Sequence, residues 1–175
     1  VYVVDSNNHR IQKFSSSGTF LTEWGSLGEW NGFLQYPAGI TVDRDGTVLV
    51  TDAGNNRVQV FTDEGMFINA WGSDGVGDGE FWYAEGIACD SEGNVYVVDH
   101  GNHRVQKFDP TGVFLAKWGK NGGDGSSGTG PGEFYHPRGI LVDQSDRVYV
   151  VDTENNRVQK FDLNGSYMGE WGSFG

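Results

Sequence analysis

The sequence is poor in several things that would otherwise direct its fold. It has one cysteine, Cys89, so no intrachain disulfide can form. Cys89 sits in IACD, where two sister segments read ITVD and ILVD, so a small buried apolar side chain is expected there. There are only two methionines, and no long stretch has the apolar spacing of an amphipathic helix. No apolar run approaches the length of a membrane span. No signal peptide is legible, and Val1 already lies within an expected strand. Basic residues are scarce: 12 Lys and Arg stand against 24 Asp and Glu, a net charge of −12. That balance works against a phosphate-rich partner, which needs clustered Lys and Arg.

Glycine and aromatic residues, in contrast, are abundant, at 28 glycines and 14% aromatics. Short apolar runs punctuated by Gly, Asp and Asn indicate an all-β chain. The runs repeat. DSNNHRIQKF (5–14), DAGNNRVQVF (52–61), DHGNHRVQKF (99–108) and DTENNRVQKF (152–161) are versions of one segment. Each follows a β-rich pentad, and the pentads start 47, 47 and 53 residues apart. Each is followed by a glycine and then by Trp-Gly, at Trp24, Trp71, Trp118 and Trp171. Three copies are preceded by a further short strand, GITVD, GIACD or GILVD. This period suits four-stranded blades arranged around an axis, with repeats at about 1–33, 34–80, 81–133 and 134–175. The expected strands are a (GI-x-[VC]-D), b (the pentad), c (R-[VI]-Q-x-F) and d (ending at Trp-Gly), fifteen in all.

Repetition supplies an internal control on function. Asp99, Asn102 and Arg104 recur in every copy, which assigns them to the scaffold: an Asx turn and a charge-assisted Arg–Asp bond. His103 aligns with His9, Asn56 and Asn156, so that position takes a His or an amide. His100 is particular to one copy. His100 and His103 lack a third clustered ligand, so they do not make a metal site by themselves.

V-x-V-x-D, then N-[HN]-R-[VI]-Q-x-F, then G-x-[FY]-x-x-x-W-G and P-x-G-I together resemble the NHL repeat over essentially the whole chain; Ala84 replaces the Pro in one copy. The resemblance implies a β-propeller of four-stranded antiparallel blades, most often six to a ring. On that reading, these four blades are part of a larger ring or an arc that self-associates through open blade edges. One enzyme of the family, the peptide-amidating lyase, carries zinc-binding His at the x of P-x-[GS]-[LI]. The matching residues here are Ala38, Glu85 and Arg138, so that carry-over fails in every blade present.

Positions that differ between blades on the rim of d–a loops and b–c turns are the candidate ligand contacts. One set surrounds the start of strand a: Tyr36, Tyr83 and His136; Trp82 and Tyr135; Glu85 and Arg138; and Trp30 in the first loop. Aromatics with polar tips suit a peptide or saccharide, and equally suit caps on blade ends. His100 belongs to the variable b–c turn pairs. Asp74, Asp78 and Asp124 lie in Gly-rich loops that lack the alternating ligand pattern of a Ca²⁺ loop, so flexible connection is the expected role and Ca²⁺ a lesser alternative.

The expected function is therefore a non-catalytic scaffold that binds a protein, peptide or glycan, in an extracytoplasmic or secreted setting, with no cofactor. Two alternatives are an NHL-type lyase or lactonase whose site lies in further blades, and an RNA-binding propeller. The acidic charge disfavours the second.

Overall fold

The computed structural model describes residues 1–173. Its fifteen strands form one three-stranded and three four-stranded antiparallel sheets. The first sheet holds β1 (Tyr2–Asp5), β2 (Arg10–Phe14) and β3 (Phe20–Trp24). The second holds β4 (Pro37–Val42), β5 (Val48–Asp52), β6 (Arg57–Phe61) and β7 (Phe67–Trp71). The third holds β8 (Ala84–Cys89), β9 (Val95–Asp99), β10 (Arg104–Phe108) and β11 (Phe114–Gly119). The fourth holds β12 (Pro137–Val142), β13 (Val148–Asp152), β14 (Arg157–Phe161) and β15 (Tyr167–Trp171). These are the expected strands, with strand a missing from the first sheet.

Strands a of neighbouring blades, β4, β8 and β12, lie beside one another at the axis. Each carries a bulge: Pro37 opposes Asp52, but Ile40 opposes Val50, and the other two sheets repeat this shift. The extra residue falls at the x-Gly of P-x-G-I. It brings Ala38, Glu85 and Arg138 to the mouth of the axis. The glycine is required by close approach. A Cβ on Gly39 would meet the Glu85 carbonyl oxygen, and one on Gly86 the Arg138 carbonyl oxygen, at 2.4 Å for the latter.

Sheet faces pack on one another because strand b alternates its side chains. Tyr2 and Val4 face the second blade, whose Val48, Val50 and Phe61 face back. Tyr96 and Val98 meet Val148, Val150 and Phe161 in the same way. The strand-d tryptophans seal these junctions. Trp24, Trp71 and Trp118 lie with ring centroids 6.0, 6.0 and 5.9 Å from Phe61, Phe108 and Phe161 of the following blade. Gly65, Gly112 and Gly165 of the following c–d turn leave room for those indoles. The tryptophans are thus packing groups, as their recurrence implied. Cys89 is half-buried rather than buried, because it occupies the last position of its strand. Burial and the neighbouring Asp43 and Asp90 push its thiol up to about 12, so it stays protonated at neutral pH.

Candidate functional site

The repeated Asp-Asn-Arg-Gln set is a clamp. In the third blade, Asp99 accepts hydrogen bonds from the Trp82 N–H at 2.8 Å, Arg104 Nε at 2.7 Å, Gln106 Nε2 at 3.1 Å and Asn102 Nδ2 at 3.0 Å. The other nitrogens of Arg104 donate to the carbonyls of Val76, Gly77, Glu80 and Gly123. Every donor of the buried guanidinium is used. Burial pushes the Asp99 carboxyl up in pKa, and Trp82 N–H, Asn102 and Arg104 oppose the shift. Arg57 and Arg157 hold the loops before their own blades in the same manner. The Gly-rich loops expected as flexible connectors are therefore tied to the sheets at several carbonyls.

The scaffold also explains why one turn position takes either His or Asn. His9, Asn56 and His103 sit in the left-handed region, at φ 55°, 52° and 51°. Each presents an acceptor to the next blade: His9 Nδ1 to the Tyr36 N–H at 3.0 Å, Asn56 Oδ1 to the Tyr83 N–H at 2.8 Å, and His103 Nδ1 to the His136 N–H at 3.1 Å. Imidazole Nδ1 and amide Oδ1 stand at the same distance along the side chain, so either serves. Tyr36, Tyr83 and His136 are themselves left-handed, at φ 46°, 58° and 48°. A non-glycine residue there costs on the order of 1 kcal/mol and is held by its surroundings. The strain turns these three rings onto the rim.

The candidate residues do not form one site. Tyr36, Tyr83, Glu85 and Arg138 line an open concavity of about 600 Å³ at the mouth of the axis, with Ser6, Ala38 and Ala53. Arg138 Nη1 pairs with Glu85 at 3.2 Å, and Arg138 is 56% exposed. Trp82 lies apart, in a smaller hollow of about 280 Å³ with Val76 and Asn102. Tyr135 lines a third hollow, of about 320 Å³, with Lys120 and Glu133. Trp30 is 80% exposed and lends only its carbonyl to the clamp.

Three of the four histidines meet at the junction of the third and fourth blades. The His136 ring lies 4.6 Å from His100 and 4.4 Å from His103, with Tyr135 beside it at 4.9 Å. The sequence comparison of turns could not find this cluster, because His136 belongs to the d–a loop and not to the b–c turn. Among the described residues no group of three or more His, Cys, Asp or Glu is placed to hold a metal. The three aspartates considered for Ca²⁺ take separate partners: Asp74 accepts from Asn56, Asp78 pairs with Lys117 and Asp124 accepts from Ser126. The Ser126 and Asn121 bonds hold the Asp124 carboxyl down at about 2.

Burial and the neighbouring imidazoles hold His103 below the usual imidazole range, against the pull of Asp152. Burial and His100 do the same for His136, aided by Arg138 and opposed by Glu154. The unfolded chain then takes up protons near pH 6.5 that the folded chain resists. This contribution to stability is complete above about pH 6.5 and is lost as pH falls through the lowered folded values. His103→Asn keeps the acceptor, as Asn56 does. Its melting temperature at pH 7.5 is expected to match that of the parent within a few degrees. Between pH 7 and 5 its melting temperature is expected to fall less steeply, as calorimetry across that range would show.

The NHL repeat family model matches residues 34–61, 81–108 and 134–161. The protein lin-41 of Caenorhabditis elegans is 52% identical over 44 residues, 25% of this chain and 4% of that protein. The human NHL repeat-containing protein 3 is 42% identical over 48 residues, 27% of this chain and 14% of that protein. Among solved structures, virginiamycin B lyase from Staphylococcus aureus superposes with a TM-score of 0.68 at 17% identity, over 98% of this chain and 51% of the lyase chain. A structural genomics protein of unknown function from Bacteroides thetaiotaomicron superposes with a TM-score of 0.71 at 20% identity, over 92% of this chain and 44% of its own. The chain thus spans about half the length of these structures, and likeness at this identity concerns the fold alone. Three matched repeats, the same Asp-Asn-Arg set at Asp5, Asn8 and Arg10 of the first blade and the superposition lead to one assignment: the chain is built from NHL repeats and folds as a β-propeller arc of four blades.

Proposed function

We propose that the chain is a binding scaffold whose axial concavity holds a segment of a protein or peptide. The observation that carries this reading is the convergence of Tyr36, Tyr83, Glu85 and Arg138, from three blades, on one open concavity of about 600 Å³. Its size lies in the range of ligand sites. Two strained tyrosines offer flat, half-exposed faces, which suit apolar or aromatic side chains. Glu85 and Arg138 offer opposite charges to a polar backbone or to charged side chains. A glycan would use the same aromatic faces and is the other ligand class that suits the concavity.

An enzyme reading has less support. The lyase superposition concerns fold only, and the x positions of P-x-G-I hold Ala38, Glu85 and Arg138. RNA binding also has less support, because the four recurrent arginines are bound to aspartates of the scaffold. A displayed random-peptide library and a glycan array, probed with the labelled chain, test the proposal. A peptide is expected to be selected, and Tyr36→Ala with Tyr83→Ala is expected to weaken it at least about tenfold, the loss of two aromatic contacts. Trp82→Ala lies in another hollow and is expected to leave the affinity unchanged. A selected peptide that binds the double variant equally well would place the site elsewhere.

A further inference from the structure

One rim loop differs from its sisters in length. Between Trp-Gly and strand a the chain has eleven residues at 26–36 and at 73–83, but seventeen at 120–136. The third blade orders the extra residues. They turn at Lys120, whose carbonyl accepts the Gly123 N–H at 2.8 Å, and Arg104 of the buried clamp donates to the Gly123 carbonyl at 3.2 Å. The fourth blade holds the far side of the loop. Arg157 donates to the carbonyls of Thr129, Gly130 and Glu133, and Asn155 to that of Gly128. Two complete four-stranded sheets thus fix the loop, which frames a hollow of about 320 Å³.

The hollow is lined by Lys120, Ser127, Thr129, Glu133 and Tyr135, with Gly128. A bond from the Gly128 N–H to the Phe134 carbonyl matches those from Gly28 to Leu34 and from Gly75 to Phe81, and so aligns the three loops. In this alignment Ser127, Thr129 and Tyr135 stand where the first loop has Leu27, Glu29 and Gln35, and the second Asp74, Val76 and Trp82. Lys120 belongs to the extra residues. The scaffold does not require this set, because two sister loops fold alike without it. Thr129 lends only its carbonyl to the clamp. Tyr135 lends only its backbone, by its N–H to Asp152 and its carbonyl to the Glu154 N–H. Among the described residues, the Lys120 ammonium, the Ser127 and Thr129 hydroxyls and the Tyr135 phenol take no partner in the chain. Glu133 Oε2 accepts the Gly130 N–H at 3.0 Å, which fixes the carboxylate and leaves its other oxygen to accept.

We propose that this hollow binds one neutral pyranose ring of a glycan. Tyr135, 41% exposed, offers an aromatic face to the apolar side of a sugar ring. Around it donors and acceptors are mixed: the ammonium only donates, the carboxylate only accepts, and the hydroxyls do both. Adjacent sugar hydroxyls need that mixture at close quarters, whereas a peptide spreads its donors and acceptors along an extended backbone. One ammonium and one carboxylate leave the hollow without net charge, which suits a neutral ligand although the chain carries −12. The volume lies at the lower end of ligand sites and gives room for a single ring. The clamp arginines hold the loop in place beforehand, so little ordering is lost on binding. The site shares no lining residue with the axial concavity, and its failure would leave that reading standing.

Titration of the isotope-labelled chain with the methyl glycosides of glucose, galactose, mannose and N-acetylglucosamine, followed by NMR, tests this. At least one of them is expected to shift the amide signals of residues 126–136 saturably, while those of Tyr36 and Tyr83 stay in place. Tyr135→Ala is expected to weaken that binding at least about tenfold, the loss of the aromatic contact. Lys120→Ala is expected to weaken it about fivefold, the loss of one hydrogen bond. Thr129→Val keeps the side-chain shape without the hydroxyl, is expected to weaken it about threefold, and serves if Tyr135→Ala unfolds. Several results would each overturn the proposal. One is that none of the four glycosides moves the loop signals. Another is tighter binding of methyl glucuronide, which would make Lys120 part of an anion site. A third is a blocked dipeptide that moves the same signals more strongly than any of the sugars. The last is binding that persists undiminished in Tyr135→Ala or Thr129→Val, which would mark the contact as unspecific.

Discussion

Asp99→Ala is expected to destabilise the chain by about 3–5 kcal/mol, because it strands a buried guanidinium. The Asp99 and Arg104 side chains are both 0% exposed. Removing the carboxylate also takes the acceptor from the Trp82 N–H, Asn102 and Gln106. Arg104 would keep its carbonyl partners but lose its countercharge, and the loop from Val76 to Glu80 would lose the fixed end of its clamp. The same substitution in the first blade is an internal comparison. Asp5 and Arg10 form the same pair at 2.9 Å, but their side chains are 24% and 32% exposed. Water can replace the lost partner there, so Asp5→Ala is expected to cost much less. Urea unfolding of both variants checks the pair. Equal losses would mean that the clamp contributes through turn geometry and not through buried charge.

Gly86→Ala is expected to cost about 3 kcal/mol, although a single methyl is added. Its Cβ would stand 2.4 Å from the Arg138 carbonyl oxygen and 3.0 Å from the Ile140 nitrogen. Both are backbone atoms of the neighbouring strand a, so relief requires strands to part at the axis, which places the change at the upper end of overpacking costs. Gly139 is the matching position in the fourth blade. A Cβ there meets only the Val151 side chain, at 3.1 Å from its nearest atom, and that side chain can shift. Gly139→Ala is expected to cost less than about 1 kcal/mol. Thermal unfolding separates the two, and similar melting temperatures would mean that the axis is looser than these distances indicate. The outcome bears on the site, since Glu85 and Arg138 stand at the same bulges. Opening the axis at Gly86 is also expected to weaken the Arg138–Glu85 pair, held at 3.2 Å.

Much of this architecture was legible in the sequence. Four aligned segments mark Asp99, Asn102 and Arg104 as scaffold, and in the fold they form a clamp. The fifteen strands and the packing role of Trp24, Trp71 and Trp118 followed from the same alignment. Gln106 was the part missed: it recurs in every copy, yet only its bonds to Asp99 and the Glu80 carbonyl show it belongs to the clamp. The Gly-rich loops misled because glycine content signals freedom, whereas their order comes from Arg donors about 27 residues downstream.

The sequence by itself determined what happens within a blade and what recurs at every junction. Side chains on a strand alternate with period two, and repeated function leaves repeated residues. Only the tertiary structure decided which differing residues share a surface. Tyr36 and Tyr83 share a concavity with Arg138, while Trp82, next to Tyr83 in sequence, falls into another hollow. His136 joins His100 and His103 although nothing in its own repeat position foretells it. The physical reason is that such neighbours lie on different blades, so their meeting depends on the angle between sheets and on where a bulge or a left-handed residue turns a side chain. Those angles are set by packed backbone and indole surfaces, which no short pattern of residues records.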